Sequence, residues 1–410
     1  MRRSARRYTG ILLGLVLGLY TAVGAFNFIV DPFGLFPGPE IRGFNAIKAD
    51  VDAHVRMVKA YQVRLNPPSG LVVGSSRALL GVPTVDPAWP EAARPVYNLS
   101  LYGGYLYETM RYFQHALALG TVKHAVLSLD LWMFDRDWVT RPGFDENRFL
   151  VKVDGTTNTP DALEPLRALF AWDTLRSSLR TISRQDRMDI LVQKPDGASI
   201  WRSDAAWLQS KQSHRQQFGY MERMFGTEAW QPAQERRWDI NDTDDPTSPV
   251  QMFRQMVRDA YAHDVDLRIA ISPSHARIWE VIYAGGMWET WEDWKRALLK
   301  ITLEEAAREN KPPFPIWDFS GYNTITTEDV PRDGSPMRWY TDGSHFKPLV
   351  GSMMLQRIYQ KPTDQLPADF GRRLEPDMIN ATLADIRTRR DHYAATHPDE
   401  VREAGRWAPK

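Results

Sequence analysis

Cysteine is absent from the 410 residues. That excludes a disulfide framework, a zinc–thiolate site, an iron–sulfur cluster and a thiol nucleophile. Charge of one sign is also lacking, because 51 Lys and Arg balance 51 Asp and Glu. A nucleic-acid-binding chain carries a basic excess on at least one face, so no nucleic-acid partner is expected. The composition is not that of a disordered chain either. Apolar residues make up 43% and aromatics 11%, enough to bury a large core. Beyond the first thirty residues there is no hydrophobic run of membrane-spanning length, and there is no internal repeat or low-complexity tract.

What is present starts at the amino end. Four arginines within residues 1–7 precede Ile11–Val30, a run with one strongly polar member, Asn27. At about 1.5 Å per residue this run reaches about 30 Å, the thickness of a hydrocarbon core. The basic flank lies on the amino side, which predicts a cytoplasmic amino end and a single pass. The segment 1–30 is therefore read as an uncleaved anchor. A cleaved signal peptide is the alternative, since Val23-Gly-Ala25 resembles a small-residue cleavage site. Either way residues 31–410 are exported. The expected location is the inner membrane, with the main domain periplasmic or extracellular.

The exported part reads as alternating strands and helices. Residues 31–66 give a Pro/Gly-rich exit followed by a helix from Asp50 to Leu65. Apolar runs at 71–73, 96–99, 125–129, 267–271 and 315–319 read as strands covered on both faces. Helical patterns at 106–119, 251–263 and 278–309 separate them, the last broken at Gly285-Gly286. The alternation predicts an α/β fold with a five-stranded parallel sheet over residues 67–361. Residues 134–247 break the rhythm and read as an inserted cap. Residues 362–410 read as a helix and a charged tail.

In an open parallel sheet, ligands bind outside the carboxyl ends of the strands. There the sequence places Gly74-Ser75-Ser76-Arg77, Asn98–Gly104, Asp130, Ser272-Pro-Ser-His275 and Tyr340–Phe346. A serine hydroxyl is a poor nucleophile until a base takes its proton. His345 would be that base, and Asp342, three residues before it, would hold its other ring nitrogen. Plainer readings exist for each residue. The Gly-Ser-Ser-Arg turn also fits a helix N-cap, and the Asp342–His345 pair fits a capping Asp beside a surface His. Arg77 fits a salt-bridged helix residue, Asp130 a partner for a loop N–H, and His275 a hydrogen-bonded structural histidine. A metal site from Asp130, His275, Asp342 and His345 is not required by their spacing, and neither metal nor cofactor is expected.

Gly74-Ser75-Ser76-Arg77 directly after a strand, Gly103 in the second strand–helix loop and Asp342-x-x-His345 near the carboxyl end resemble the SGNH (GDSL-like) hydrolase family. The resemblance spans about residues 70–355. It implies a three-layer α/β/α sandwich and serine-dependent acyl transfer by Ser76, His345 and Asp342. It further implies oxyanion donors at the Ser76 and Gly103 N–H groups. The family's third block supplies an asparagine amide, but here the corresponding stretch reads Leu127-Ser-Leu-Asp130. An ionised Asp130 cannot donate a hydrogen bond. Arg77, Asp130 and His275 stay as candidate oxyanion or binding residues.

A membrane tether on such a domain is similar to the anchored O-acetyltransferases and esterases of bacterial envelope polysaccharides, of the alginate-acetylation type. That similarity implies a carbohydrate polymer as acceptor or substrate and a multi-span membrane acyl-donor protein as partner. The alternative is a catalytically degenerate relative that binds glycan or organises a modification complex. Tyr102, Tyr105, Trp132 and Tyr340 near the strand ends are the aromatics expected to touch substrate. Trp288, Trp291 and Trp294 form one stripe of a helix and read as packing.

Overall fold

Uninterrupted Val, Leu and Ile cannot leave a strand half in water, and in the computed structural model these runs form the middle of a sheet. The structure describes residues 2–137, 139–229, 238, 240, 245–361 and 363–408. Part of the expected insertion (230–237, 239 and 241–244) lies outside the described residues. Strands β1 (Gly70–Val73), β2 (Val96–Asn98) and β3 (His124–Leu129) come first. A small antiparallel hairpin, β4 (Leu191–Gln193) and β5 (Ser199–Trp201), stands apart from the main sheet. Then follow β6 (Asp266–Ile271), β7 (Ile316–Asp318) and β8 (Arg372–Arg373). The main sheet has the order β2-β1-β3-β6-β7-β8.

The first five strands of that order are parallel. The longest pairing, β3 with β6, runs from His124 opposite Asp266 to Leu129 opposite Ile271. The sheet therefore has six strands, not the five expected. The sixth, β8, lies antiparallel to β7, with Trp317 opposite Arg373. Two adjacent arginines carry no apolar pattern, so nothing local marks them as a strand. They are recruited by the open edge of β7.

Ahead of β1 come α1 (Arg2–Val30) and α2 (Val55–Leu65); α3 (Ser76–Gly81) and α4 (Leu106–Leu117) each follow a strand. Between β3 and β6 lie α5 (Glu164–Ala168), α6 (Trp172–Ser183), α7 (Asp204–Lys211), α8 (His214–Met224) and α9 (Pro249–Ala262). Helices α10 (Ala276–Ala284) and α11 (Trp288–Glu309) meet at the Gly285-Gly286 break. The chain closes with α12 (Pro348–Ile358), α13 (Ile379–Thr396) and α14 (Pro398–Gly405).

Strand side chains alternate between two apolar clusters. Leu71, Val73, Leu127 and Ile269 pack with Phe113 of α4, Val257 of α9 and Trp294 of α11. Val72, Val126 and Ala270 pack with Ala78 of α3 and Met354 and Leu355 of α12. Both faces of the sheet are thus buried, the requirement that shaped the apolar runs. Trp291 and Trp294 are fully buried and Trp288 nearly so. Among the described residues, α1 is the helix long and apolar enough to cross a membrane, with a mean hydropathy of 1.9 over an 18-residue window within Ala5–Val30.

Candidate active site

Because β1, β2, β3, β6 and β7 are parallel, their carboxyl ends share one edge of the sheet, and the chain turns there five times. After β1, Ser75 caps α3, its hydroxyl accepting from the Arg77 N–H. Ser76 is the next residue and remains half-buried. After β7, residues 339–347 fold back on themselves. Thr341 N–H donates to the His345 carbonyl at 2.9 Å and Lys347 N–H to the Trp339 carbonyl at 2.8 Å. This narrow turn carries Asp342, Ser344 and His345.

The two turns meet. Ser76 Oγ lies 2.9 Å from His345 Nε2. His345 Nδ1 lies 2.8 Å from Asp342 Oδ2 and 3.0 Å from Oδ1. Asp342 also accepts the backbone N–H groups of Ser344 and His345 at 2.8 and 2.9 Å. Burial opposes charge on this carboxyl. The neighbouring imidazole and these hydrogen bonds outweigh it and hold the group below the usual carboxylate range. An ionised carboxylate only accepts, so Nδ1 carries the ring proton and Nε2 turns a lone pair to the Ser76 hydroxyl.

Asp130 and Arg77 take roles other than substrate contact. Asp130 Oδ2 accepts from the Ser75 hydroxyl at 2.7 Å, and Oδ1 pairs with Arg77 Nη1 at 2.5 Å. Arg77 Nε reaches across to Ser344 Oγ at 2.9 Å and to its carbonyl at 3.2 Å. Arg77 is buried, so this network clamps the Ser76 turn to the Asp342–His345 turn from beneath. Both oxygens of Asp130 are taken, which makes it a support. It brings no donor toward an oxyanion.

His275 is likewise structural. Its Nδ1 accepts the Arg277 N–H as the cap of α10, and its Nε2–H donates to the Glu328 carbonyl at 2.7 Å. Burial pushes it down to about 3, so it stays neutral. Its contribution to the site is indirect: the His275 backbone N–H donates to the Gly343 carbonyl of the Asp342–His345 turn at 3.0 Å. With Asp130 tied to Arg77 and His275 to Glu328, the four acidic and imidazole groups do not assemble as ligands. Among the described residues no group of three or more His, Asp and Glu is placed to hold a metal ion.

Gly103 sits half-exposed in the loop after β2 at φ +53°, a conformation an L side chain resists. The loop leans on the Ser76 turn, with Leu101 N–H donating to the Gly74 carbonyl at 3.0 Å. Three cations that the sequence did not single out hold it. The Lys59 ammonium, buried in α2, donates to the carbonyls of Asn98, Ser100 and Gly197. Arg56 reaches the Tyr102 carbonyl at 3.0 Å while paired with Glu108. Arg141 lies over the Tyr105 ring and donates to its hydroxyl at 2.8 Å. His214 of α8 was also missed. It bonds the Thr341 carbonyl at 2.9 Å and accepts the Met337 N–H, bracing the Asp342–His345 turn. No local spacing reveals these residues, because each acts on a segment about forty or more positions away. Of the aromatics expected at the rim, Trp132 is half-buried against Tyr105. Tyr340 is fully buried with its hydroxyl on the Pro273 carbonyl, and so belongs to the core.

Comparison of the chain with family models, with curated proteins and with solved structures finds no match.

Proposed function

We propose that the chain is a membrane-anchored, exported serine acyl-transfer enzyme of the SGNH type, an O-acetyltransferase or esterase acting on an envelope or secreted polysaccharide. The observation that carries this reading is the continuous hydrogen-bonded series from Ser76 through His345 to Asp342 at the carboxyl edge of a parallel sheet. In the proposed reaction Ser76 Oγ attacks an ester carbonyl carbon while its proton moves to His345 Nε2. The Ser76 and Gly103 N–H groups face the resulting oxyanion. Collapse expels the alcohol, which takes the proton from His345 and leaves an ester on Ser76. A sugar hydroxyl or water, deprotonated by His345, then releases the acyl group. Helices packed on both sheet faces support the three-layer sandwich that this family has. The length and apolarity of α1, with arginines in its first turns, support a single pass with the amino end cytoplasmic.

One observation favours a second reading, a degenerate glycan-binding or scaffold relative that works beside a multi-span acyl donor. Asp130 stands where the family has an amide donor, and its carboxylate is consumed by Ser75 and Arg77. A fluorophosphonate probe separates the two. The enzyme reading expects covalent labelling of the detergent-solubilised protein that disappears in Ser76→Ala. A folded wild-type chain that resists labelling would sink it and leave the scaffold.

A further inference from the structure

Helix α1 does not leave the membrane alone. From Ala5 to Ala22 it is exposed on every side, whereas Gly24, Asn27 and Val30 are buried against the body. The all-round exposed part, at about 1.5 Å per residue, is about 27 Å long, close to a hydrocarbon core. What covers the helix beyond it is α6 and the turn before it. Asn27 Nδ2 donates to the Leu169 carbonyl at 2.6 Å, and its Oδ1 accepts the Ser178 hydroxyl at 2.7 Å. The Phe170 ring stacks on Tyr20 at 4.6 Å, lying over Gly24, which has no side chain to block it.

At this level the body presents apolar side chains outward. On α6, Ser177, Ser178 and Thr181 are buried, while Trp172 and Leu179 are 69% and 53% exposed with half-buried Leu175 between them. Spacings of three and four place those three on one face, beside the flank that Ser178 turns to α1. Leu163, Leu166 and Phe170 continue the exposed apolar surface at the same spacing through α5. Arg176, Arg180 and Arg184 follow by fours on another face, and the last two partner Asp50. A helix with Trp and Leu on one face and Arg on the next suits the boundary between acyl chains and phosphates.

We infer that α5 and α6 form a collar seated in the outer interface of the bilayer that α1 spans, fixing the body and its site at one distance and orientation from the lipid. The occupant of the apolar face is phospholipid, argued from its continuity with α1 and from the arginines beside it. The inference rests on the anchor reading of α1, and the test separates the two.

The native lack of cysteine permits single labels at chosen sites. Leu15→Cys, Trp172→Cys, Leu179→Cys and Val85→Cys of the full chain, each carrying a polarity-sensitive fluorophore, would be reconstituted in phosphatidylcholine/phosphatidylglycerol vesicles with nitroxide-bearing lipids. All four positions are exposed, so the fold is not at stake. The inference expects several-fold stronger quenching at 15, 172 and 179 than at 85. Quenching at 15 with 172 and 179 no different from 85 would overturn the collar and leave the anchor standing. Labels at 172 and 179 shielded from aqueous iodide without lipid quenching would assign the face to a second copy and overturn it equally. No quenching at 15 would remove the anchor reading and the collar with it.

Discussion

At Asp342 two opposing demands meet. Burial disfavours the charge, yet the His345 ring N–H favours a charged acceptor, and the turn resolves this by aiming two backbone N–H groups and that ring at one carboxylate. Asp342→Asn would keep the shape but lose the negative charge and put an amide donor where Oδ2 now accepts the ring proton of Nδ1. Under the enzyme reading, turnover of an activated acyl ester should fall on the order of 10⁴-fold with little change in KM. Unaltered turnover would remove Asp342 from the reaction. Titration of the wild-type Asp342 works on the acid side: its folded value is depressed, so its stabilisation is present above the unfolded value near 3.8 and lost as pH falls through the folded one. His275 works in the window above. Its folded value is about 3 against 6.5 unfolded, so between these the unfolded chain binds more protons and stability falls with falling pH. That slope is up to about 1.4 kcal/mol per pH unit. His275→Gln removes it, so the stability gap between wild type and variant should narrow from pH 7 to pH 5, read from denaturant midpoints. A constant gap would refute the assignment of His275 as buried and neutral.

Between elements, the clamp beneath the site decides whether two distant turns stay together. Arg77 joins α3 to the Asp342–His345 turn through Ser344 and to the end of β3 through Asp130. Arg77→Met would strand a buried carboxylate at a cost of about 3–5 kcal/mol, whereas Arg77→Met/Asp130→Leu should recover much of that. Denaturant midpoints of the two variants give the comparison, and equal losses would contradict it. Helix contacts add to the same alignment. Gly351 of α12 lets its backbone approach Gly81 of α3, where a Cβ would lie 1.8 Å from the Gly81 carbonyl oxygen. The apolar runs at 71–73, 125–129 and 267–271 were readable as strands because burial on both faces leaves one composition available. Strand β8 was not, because Arg372 and Arg373 owe their conformation to the edge of β7.

Over the whole molecule, charge is balanced in total but not in place. Four arginines in the first turns of α1 leave residues 8–410 with four more acidic than basic side chains. At the carboxyl end the charges are structural. Arg277 of α10, fully buried, pairs with Glu222 of α8 at 2.5 Å and with Glu400 and Glu403 of α14, and Arg215 pairs with the same two glutamates. The last helix is therefore tied across the body, toward the helix whose cap supports the Asp342–His345 turn. Ending the chain after Thr396 would leave Arg277 with Glu222 alone and uncover the apolar face beneath Ala404. The expected loss is about 3 kcal/mol or more in denaturant stability. A truncated chain as stable as the full one would show α14 to be dispensable.

By itself the sequence determined the five parallel strands, the apolar amino-terminal helix, the absence of thiol chemistry and the residues Ser76, Asp342 and His345 as candidates. These are local properties, set by hydrophobic period, composition and a three-residue spacing. The tertiary structure alone decided that Ser76 meets His345 across 269 positions, that Asp130 and Arg77 serve as a clamp, and that His275 faces inward. It also decided that the cations Lys59, Arg56 and Arg141 hold the Gly103 loop. A polar side chain's role is set by whichever partner packing delivers to it, and that partner is seldom its neighbour in the chain.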